Sequence, residues 1–260
     1  MHPRPLETHP DFRSEVLDNE RTIYVYTPPN YVDGDDGQDG EQRYPVLYLQ
    51  DGQNLFHPEK AAFGVEWKAG ETADELLASG KIEPVIIVGI ANTPERGEEY
   101  TPPDFGVAGR ADEYVEFLTE ELKPFIDKNY RTRAEEPAST GIGGSSLGGL
   151  ISLYACMAAP EVFGKCAALS PAVWWPGREF AIAFEDALVE MPDVNFRVVV
   201  GMDEDPGRRM LTGARWIRDA LKRAEHPRWR YRELADMQHN EAAWSRQLPL
   251  VLAELFPADE

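Results

Sequence analysis

A glycine-rich segment near the middle of the chain, Gly144-Ser145-Ser146-Leu147-Gly148-Gly149, matches the pattern G-x-S-x-G. An apolar, strand-prone stretch precedes it and a helix-prone stretch follows, which is the context of a nucleophile elbow. Small residues are needed two positions either side of the serine, because the backbone turns so tightly that larger side chains would clash. The motif predicts that Ser146 is the nucleophile of a serine hydrolase.

Other chemistries of glycine-rich loops fit this segment less well. Residues 141–146 lack the third glycine of a dinucleotide-binding fingerprint, and no Lys-Ser or Lys-Thr pair follows that would complete a phosphate-binding loop. A plain strand-to-helix turn is the remaining alternative to an elbow.

A serine hydroxyl is a weak nucleophile until an imidazole removes its proton, so the motif requires a histidine elsewhere in the chain. In α/β-hydrolases the order is serine, acid, histidine, which leaves His226 and His239. His226 precedes Pro227 after a charged helix, where a solvated surface position is expected. His239 lies between the last predicted strand and the last predicted helix, and we predict it to be the general base.

The acid that orients this histidine is expected just after the strand FRVVVG at residues 196–201. Asp203, Glu204 and Asp205 all follow that strand. Spacing alone does not separate them, and the two carboxylates not used would be solvated loop charges.

The oxyanion hole of such a site needs two backbone N–H groups. The first is predicted at Leu147, directly after the nucleophile. The second is predicted at Gln53 in the segment YLQDGQNLF, where Gly52 allows close approach of the backbone. An ordinary Asp-Gly turn is the alternative for this segment.

The elements that would position these groups alternate between strand and helix along the chain. Short, nearly all-apolar runs at 45–49 and 84–90 are typical of strands buried on both faces of a parallel sheet. Glu113–Tyr130 has apolar residues at helical spacing. The remaining predicted elements are strands at 21–27, 139–143, 166–169, 196–201 and 228–234 and helices at 71–77, 147–158, 180–189, 208–224 and 241–256. This order predicts an α/β class, with a mostly parallel central sheet and helices on both faces, in one domain over residues 1–260.

Composition excludes several classes of partner. The formal net charge is −20, from 26 basic and 46 acidic residues, so nucleic acid and anionic membranes would be repelled.

Cys156 and Cys166 lie in apolar stretches and are expected to be buried, reduced thiols. The acidic segment Tyr31–Arg43 lacks the closing acid of a calcium-binding EF-hand and is interpreted as a solvated loop. No signal-like or membrane-spanning run occurs, so a cytoplasmic protein is expected, with no metal or cofactor.

With these motifs the chain resembles the putative-esterase family of α/β-hydrolases, which includes enterochelin esterases, feruloyl and acetyl-xylan esterases, and mycolyltransferases. The resemblance spans nearly the whole chain. It is carried, in the family's order, by PVLYLQDGQNLF, PVIIVGIANTPERGEEYTP, GIGGSSLGGLISLYA, LSPAVWW, VVVGMDED and HNEAAW.

The resemblance implies roles for residues that spacing leaves open. Family members usually place the acid three residues after the strand-ending glycine, here Gly201, which favours Glu204. Trp174 and Trp175 would wall the substrate pocket beside the serine, although paired tryptophans are also common in protein cores. Arg96, with Glu99 and Tyr100, is expected in a loop-stabilising ion pair or at the rim of the cleft.

The sequence therefore predicts a serine esterase whose partner is a small-molecule ester. An acyltransferase that passes the acyl group to a sugar or another alcohol would use the same three residues. A binding protein that kept this fold without the chemistry is a third possibility, because a fold does not by itself fix a function. The acyl group, the alcohol and the oligomeric state are not predicted.

Overall fold

The computed structural model describes residues 6–29, 31, 42–103, 105–106 and 108–258. Eight strands of these residues form one sheet in the order β1-β2-β4-β3-β5-β6-β7-β8. The strands are β1 (Glu7–Ser14), β2 (Asn19–Tyr26), β3 (Val46–Gln50), β4 (Ile86–Ile90), β5 (Thr140–Ser145), β6 (Lys165–Leu169), β7 (Asn195–Gly201) and β8 (Trp229–Leu234). Strands β4 to β8 and β3 run parallel, and β1 and β2 extend one edge antiparallel. The predicted mostly parallel sheet is confirmed.

Alternation within the central strands explains how the sheet is buried on both faces. In β3, Val46 and Tyr48 pack into one apolar cluster, whereas Leu47 and Leu49 pack into a second cluster. All four side chains are at most 3% exposed. Because successive side chains of a strand point to opposite faces, a continuous apolar run is stable only where helices cover both sides.

The helices that cover the sheet follow the predicted order, apart from a short helix at Arg96–Glu99 that the sequence did not predict. They are α1 (Ala69–Ala78), α2 (Arg96–Glu99), α3 (Ala111–Glu116), α4 (Lys123–Asn129), α5 (Leu147–Ala158), α6 (Arg178–Ala187), α7 (Arg209–Arg223), α8 (Glu241–Ser245) and α9 (Leu248–Leu255). The predicted helix 113–130 corresponds to α3 and α4 joined through a π-helical stretch, Phe117–Leu122.

Two predictions of elements need correction. The sequence pattern predicts no strand before Arg21, but β1 pairs with β2 along the antiparallel edge. Its residues are mostly exposed and do not form an apolar run, so the pattern gave no signal. The last helix, predicted at 241–256, is two helices, because α9 begins afresh at Leu248 with Pro249 in its first turn. The predicted loop Tyr31–Arg43 falls largely outside the described residues.

The parallel strands bring several predicted residues to one edge. Strands β3, β5, β6 and β7 are neighbours whose carboxyl ends lie together. The residues that directly follow the first three are Asp51, Ser146 and Ser170. Side chains far apart in the chain therefore meet at this edge, as ligand sites of open α/β sheets do.

Cys156 and Cys166 are free and buried, as predicted. Within the described ranges, no helix is long and apolar enough to cross a membrane. The same residues contain no cluster of three or more His, Cys, Asp or Glu side chains that could hold a metal ion.

Candidate active site

Ser146 lies at a sharp turn between β5 and α5. Its backbone has φ 57° and ψ −121°, a conformation that a non-glycine residue rarely adopts. The Ser146 N–H donates to the Leu169 carbonyl at 2.9 Å, which ties the turn to the end of β6. This hydrogen bond and the packing of the neighbouring glycines maintain the strained turn.

Packing leaves little room for a side chain at either glycine of the motif. A Cβ atom on Gly144 would lie 2.9 Å from both the Gly148 carbonyl carbon and Gln50 Cβ. A Cβ atom on Gly148 would lie 3.0 Å from Gln50 Cβ and 3.3 Å from Asp51 Oδ2. The end of β3 therefore presses directly against the turn that carries Ser146.

The predicted nucleophile, base and acid form one hydrogen-bonded series. His239 Nδ1 lies 2.7 Å from Glu204 Oε2, and His239 Nε2 lies 3.0 Å from Ser146 Oγ. Since an ionised carboxylate only accepts, Nδ1–H donates to Glu204, which leaves Nε2 to accept the Ser146 hydroxyl proton. The Glu204 side chain is fully buried, whereas 27% of the His239 side chain is exposed. The arrangement has the geometry needed for a serine to be deprotonated.

The three candidate acids have different surroundings. Glu204 alone of the three contacts His239 among the described residues. Asp203 is 61% exposed in its side chain and pairs with Arg208 at 2.7 Å. Asp205 accepts hydrogen bonds at 3.0 to 3.1 Å from backbone N–H groups that begin α7 and the turn before it. Burial raises the pKa of Asp205, but these hydrogen bonds outweigh burial and lower it overall.

The Glu204 carboxylate accepts two further hydrogen bonds through Oε1. The Ser170 hydroxyl donates at 2.6 Å and the Gly201 N–H at 2.5 Å. Gly201 is also required sterically, because a Cβ atom there would lie 2.0 Å from the Met237 carbonyl oxygen and 2.6 Å from Glu204 Cγ. A buried carboxylate needs such donors to offset its loss of hydration.

The segment Asp51–Gln53, predicted to supply the second oxyanion-hole N–H, packs closely against its neighbours. Asp51 has a left-handed backbone, with φ 58° and ψ 45°. A Cβ atom on Gly52 would lie 2.4 Å from the Gly89 carbonyl carbon, so only glycine fits there. Gln53 follows in a short 3-10 helix, and its side-chain Oε1 accepts from the Asn92 N–H at 3.1 Å.

Arg96 clamps this segment through Asp51. Its Nε and Nη2 atoms donate to the two Asp51 carboxylate oxygens at 2.6 and 2.7 Å, and Asn92 Nδ2 donates to Oδ1 at 2.6 Å. The expected alternatives for Arg96 were an ion pair or a place at the rim, and it forms an ion pair with Asp51. Glu99 is instead paired with Arg21, and both side chains are fully buried.

In the described part of the chain, neither predicted oxyanion-hole N–H group donates to a partner outside its own helix. Among the described residues, the backbone N–H groups of Leu147 and Gln53 make no backbone hydrogen bond outside their helices. Each stands at or near the beginning of a helical turn, where N–H groups lack an internal acceptor. This leaves both N–H groups without an outside partner, as the predicted oxyanion-hole role requires.

Trp174 and Trp175 lie in a segment that touches the nucleophile's backbone. The Ala172 N–H, just before them, donates to the Ser146 carbonyl at 3.0 Å. The two indoles pack edge to face with ring centroids 5.7 Å apart. Trp175 is 46% exposed and its Nε1–H donates to Thr101 Oγ1 at 3.1 Å. Trp174 is partly buried, and its Nε1–H contacts Met210 Sδ.

A second carboxylate, Glu241, stands close to His239 in the chain and interacts with the same charges. Its Oε2 accepts a hydrogen bond from the indole Nε1–H of Trp67. The backbone N–H of Trp67 donates to the Asn54 carbonyl. Burial raises the pKa of Glu241, and the negative charge of Asp51 adds to this effect. The sequence alone does not reveal this residue, because nothing local distinguishes it from a surface glutamate.

His226 corrects an expectation. The sequence predicted a solvated position, but His226 is only 6% exposed and its Nε2 contacts the Met191 carbonyl at 2.9 Å. Its ring also packs edge to face on Phe196. The many charges of α7, the helix before His226, suggest a solvated position. However, α7 also has an apolar face that packs inward.

Ser170 and Arg96 are further residues of this site whose contacts the sequence did not predict. Ser170 directly follows a buried strand, as Ser146 does, and that position at the carboxyl edge was the available signal. The partner of Arg96 could not be inferred, since Asp51 lies on a different strand end.

Comparison with known proteins places these features in context. A family model described as "Putative esterase" matches residues 14–255. The chain is 35% identical over 170 residues to "Endo-1,4-beta-xylanase/feruloyl esterase" of Xylanibacter ruminicola, a match over 64% of this chain and 21% of that protein. It is 27% identical over 171 residues to "Ferri-bacillibactin esterase BesA" of Bacillus subtilis, over 58% of this chain and 55% of the relative. The chain thus spans less than two thirds of the length of these curated relatives.

A solved structure has the same architecture. The "IroE-like serine hydrolase" from Shewanella oneidensis superposes with a TM-score of 0.76 at 20% sequence identity, over 96% of this chain and 79% of that one. This likeness confirms the predicted α/β-hydrolase fold.

Proposed function

Because the chain belongs to the "Putative esterase" family, we propose that it is a serine esterase that hydrolyses carboxylic esters through Ser146, His239 and Glu204. The single observation that carries the proposal is the hydrogen-bonded series from Ser146 Oγ through the His239 ring to Glu204. Family membership alone would not identify the residues that act.

In the first half of the reaction, Ser146 Oγ attacks the ester carbonyl carbon and its proton passes to His239 Nε2. A C–O bond forms, and the carbonyl oxygen becomes an oxyanion that the Leu147 and Gln53 N–H groups bind. The bond to the alcohol oxygen then breaks, and His239 returns the proton to that oxygen. The products are a free alcohol and an acyl group on Ser146.

In the second half, water attacks the acyl carbon while His239 takes one of its protons. The bond to Ser146 Oγ breaks, His239 returns the proton to Oγ, and the carboxylic acid leaves. Glu204 keeps the imidazole in the tautomer that these steps require and stabilises the imidazolium that forms.

Among the ester classes in the relatives' names, we favour neutral esters over anionic iron chelates. The net charge of −20 gives a field that repels anions. Arg96 faces Asp51, and Arg208 faces Asp203, so these cations near the site are already paired with carboxylates. Trp175, half exposed beside the Ser146 segment, offers an aromatic surface to an apolar or aromatic acyl group.

The test is hydrolysis of p-nitrophenyl acetate, butyrate and octanoate, methyl ferulate, acetylated xylan and a ferric catecholate lactone. Wild type is compared with Ser146→Ala, which should lose roughly 10⁴- to 10⁶-fold in turnover. Ser79→Ala is the control, since Ser79 Oγ only caps the end of α1 by donating to Leu76 O. Unchanged hydrolysis by Ser146→Ala would refute the assignment. New ester formed in preference to free acid, with an added alcohol present, would identify an acyltransferase.

A further inference from the structure

A chain of hydrogen bonds continues behind Glu204, away from His239. Trp244 Nε1–H donates to Ser170 Oγ at 3.0 Å, and the Ser170 hydroxyl donates to Glu204 Oε1 at 2.6 Å. Ser170 is 0% exposed and Trp244 is 5% exposed. The series therefore runs from the indole, through one buried hydroxyl, to the carboxylate that contacts His239.

The chemistry of the indole sets the direction of this chain. An indole N–H can only donate, so the Ser170 oxygen must accept from Trp244. A serine hydroxyl carries one proton, and the contact with Trp244 leaves that proton to Glu204. Low-dielectric surroundings strengthen such hydrogen bonds. The Ser170 hydroxyl therefore holds the Glu204 carboxylate firmly and in one orientation.

Trp244 also touches the other partner of Glu204. Its ring packs edge to face on the His239 ring, with centroids 4.7 Å apart and planes at 85°. Trp244 lies in α8, just after the loop that carries His239, and is part of the apolar cluster on that side of the sheet. One side chain thus contacts the histidine directly and the acid through Ser170.

The backbone of Ser170 is itself unusual. Its φ is 45°, in the left-handed region that non-glycine residues seldom adopt. The Ser170 N–H donates to the Val199 carbonyl at 2.6 Å, which fixes the residue between the ends of β6 and β7. Glycine would adopt this conformation with less strain, yet it would leave Glu204 Oε1 with one donor fewer.

We propose that Ser170 and Trp244 are positioning residues, with Trp244 acting through the Ser170 hydroxyl to hold Glu204 in the orientation that aligns His239 with Ser146. The inference rests on the proposed esterase function. In the described structure neither side chain hydrogen-bonds to Ser146 or His239, and Trp244 meets His239 only through ring packing. Their contribution is to keep the carboxylate from rotating and directed at His239 Nδ1.

The test compares Ser170→Ala, Ser170→Gly, Trp244→Phe and the double variant Ser170→Ala/Trp244→Phe. The readouts are kcat and KM for p-nitrophenyl butyrate and the rate of Ser146 labelling by a fluorophosphonate. Both Ser170 variants should lower kcat and the labelling rate about 10- to 100-fold, as expected for a lost hydrogen bond to a charged group, with KM changed less than about twofold. Trp244→Phe keeps an aromatic ring against His239 and should lower kcat about 3- to 10-fold.

The double variant tests whether Trp244 acts through Ser170. If it does, Trp244→Phe should change kcat less than about twofold when Ser170 is already alanine. Independent, multiplying losses would overturn that part of the proposal.

Ser170→Gly separates the hydroxyl from the backbone. Wild-type kcat in Ser170→Gly, with a loss in Ser170→Ala, would show that backbone strain and not the hydroxyl matters, and would overturn the proposal. Ser139→Ala is the matched control, because Ser139 is buried and its hydroxyl donates to the Glu136 carboxylate at 2.8 Å. Ser139 directly precedes β5 at its amino-terminal end, opposite the site, and loss of its hydroxyl should leave kcat unchanged.

The labelling rate keeps this inference separable from the proposed function. If wild-type Ser146 is neither labelled nor active on any ester, the esterase proposal fails. If wild type is labelled and Ser170→Ala is labelled equally fast, the esterase proposal stands and the positioning role is refuted.

Discussion

Arg96 holds both carboxylate oxygens of Asp51, at 2.6 and 2.7 Å, two residues before the predicted oxyanion-hole residue Gln53. Asn92 adds a hydrogen bond to each of Asp51 and Gln53. Four hydrogen bonds therefore join the segment after β4 to the loop after β3. These contacts help to hold the left-handed backbone of Asp51, a conformation that costs a non-glycine residue some free energy.

Substitution of Arg96 by alanine should lower kcat for p-nitrophenyl butyrate by about 10- to 100-fold. The physical reason is that Gln53 N–H would no longer be fixed, and a misplaced oxyanion-hole donor costs a share of the roughly 10²- to 10³-fold lost when a donor is removed. KM should change little, since the donor acts mainly on the transition state.

Arg223→Ala is the control for loss of an arginine, because Arg223 forms a largely exposed pair with Glu185. The measurement is steady-state kinetics at a fixed ionic strength. An Arg96→Ala enzyme with wild-type kcat would show that the Asp51 clamp does not position the site.

Substitution of Glu204 by glutamine should reduce turnover by about 10³- to 10⁴-fold. Glutamine keeps the shape but presents a neutral group to His239, so the histidine loses its orientation and the stabilisation of its charged form. Asp203→Asn, at an exposed neighbour of the same charge, should stay within about twofold of wild type, as expected for a surface charge. Equal losses in both variants would contradict the choice of Glu204.

Gly52→Ala should destabilise the protein by about 3 kcal/mol or more, because its methyl group would meet the backbone of the neighbouring strand at 2.4 Å. Backbone atoms of a central strand cannot move aside cheaply. Urea unfolding monitored by tryptophan fluorescence provides the measurement.

Gly97→Ala is the matched control, since nothing lies within 4 Å of its added Cβ. Gly97 is in helix α2, where alanine is favoured over glycine by about 1 kcal/mol. The same glycine-to-alanine change should therefore lower the free energy of unfolding at Gly52 and raise it at Gly97, because only Gly97 has room for the methyl group. Similar unfolding free energies for the two variants would contradict the close packing at Gly52.

Glu241→Gln should raise the free energy of unfolding at pH 7, and the gain should shrink as pH falls. Burial raises the pKa of Glu241 in the native protein, so the folded state binds its proton more tightly than the unfolded state. The penalty for the buried charge is present above the folded pKa and disappears below the unfolded value near 4.3. Trp67 Nε1–H can still donate to the glutamine oxygen.

Unfolding of both proteins by urea at pH 7 and at pH 4 measures the difference. Glu98→Gln is the control, at an exposed glutamate. A benefit of Glu241→Gln that stayed constant between these pH values would show that relief of a buried charge is not its cause.

Trp175→Ala should raise KM for methyl ferulate by about 3- to 30-fold and change KM for p-nitrophenyl acetate much less, because only the aromatic acyl group gains a ring contact. Ile182→Ala removes another exposed apolar side chain, 53% exposed on α6, and serves as the control. Equal effects on both esters would contradict a role of Trp175 in acyl recognition.

Local patterns in the sequence were sufficient to predict most of the strands and helices, and Ser146 and His239 as a candidate pair. Apolar runs reveal buried strands because each needs two covered faces, and a sharp turn needs glycines at fixed spacing whatever surrounds it. The sequence did not predict the exposed strand β1, because β1 has no apolar run. It did not predict the break before Leu248, because that break depends on a single proline.

Contacts between distant strand ends were decided only by the tertiary structure. Sequence spacing does not distinguish Asp203, Glu204 and Asp205. In the structure, the turn after β7 places Glu204 in the buried space beside His239, Asp203 in solvent and Asp205 at the start of α7. The links of Arg96 to Asp51 and of Trp244 through Ser170 to Glu204 likewise join residues far apart in the chain. Side-chain direction and burial follow from the packed backbone, because the same residue types have other partners when the strands around them change.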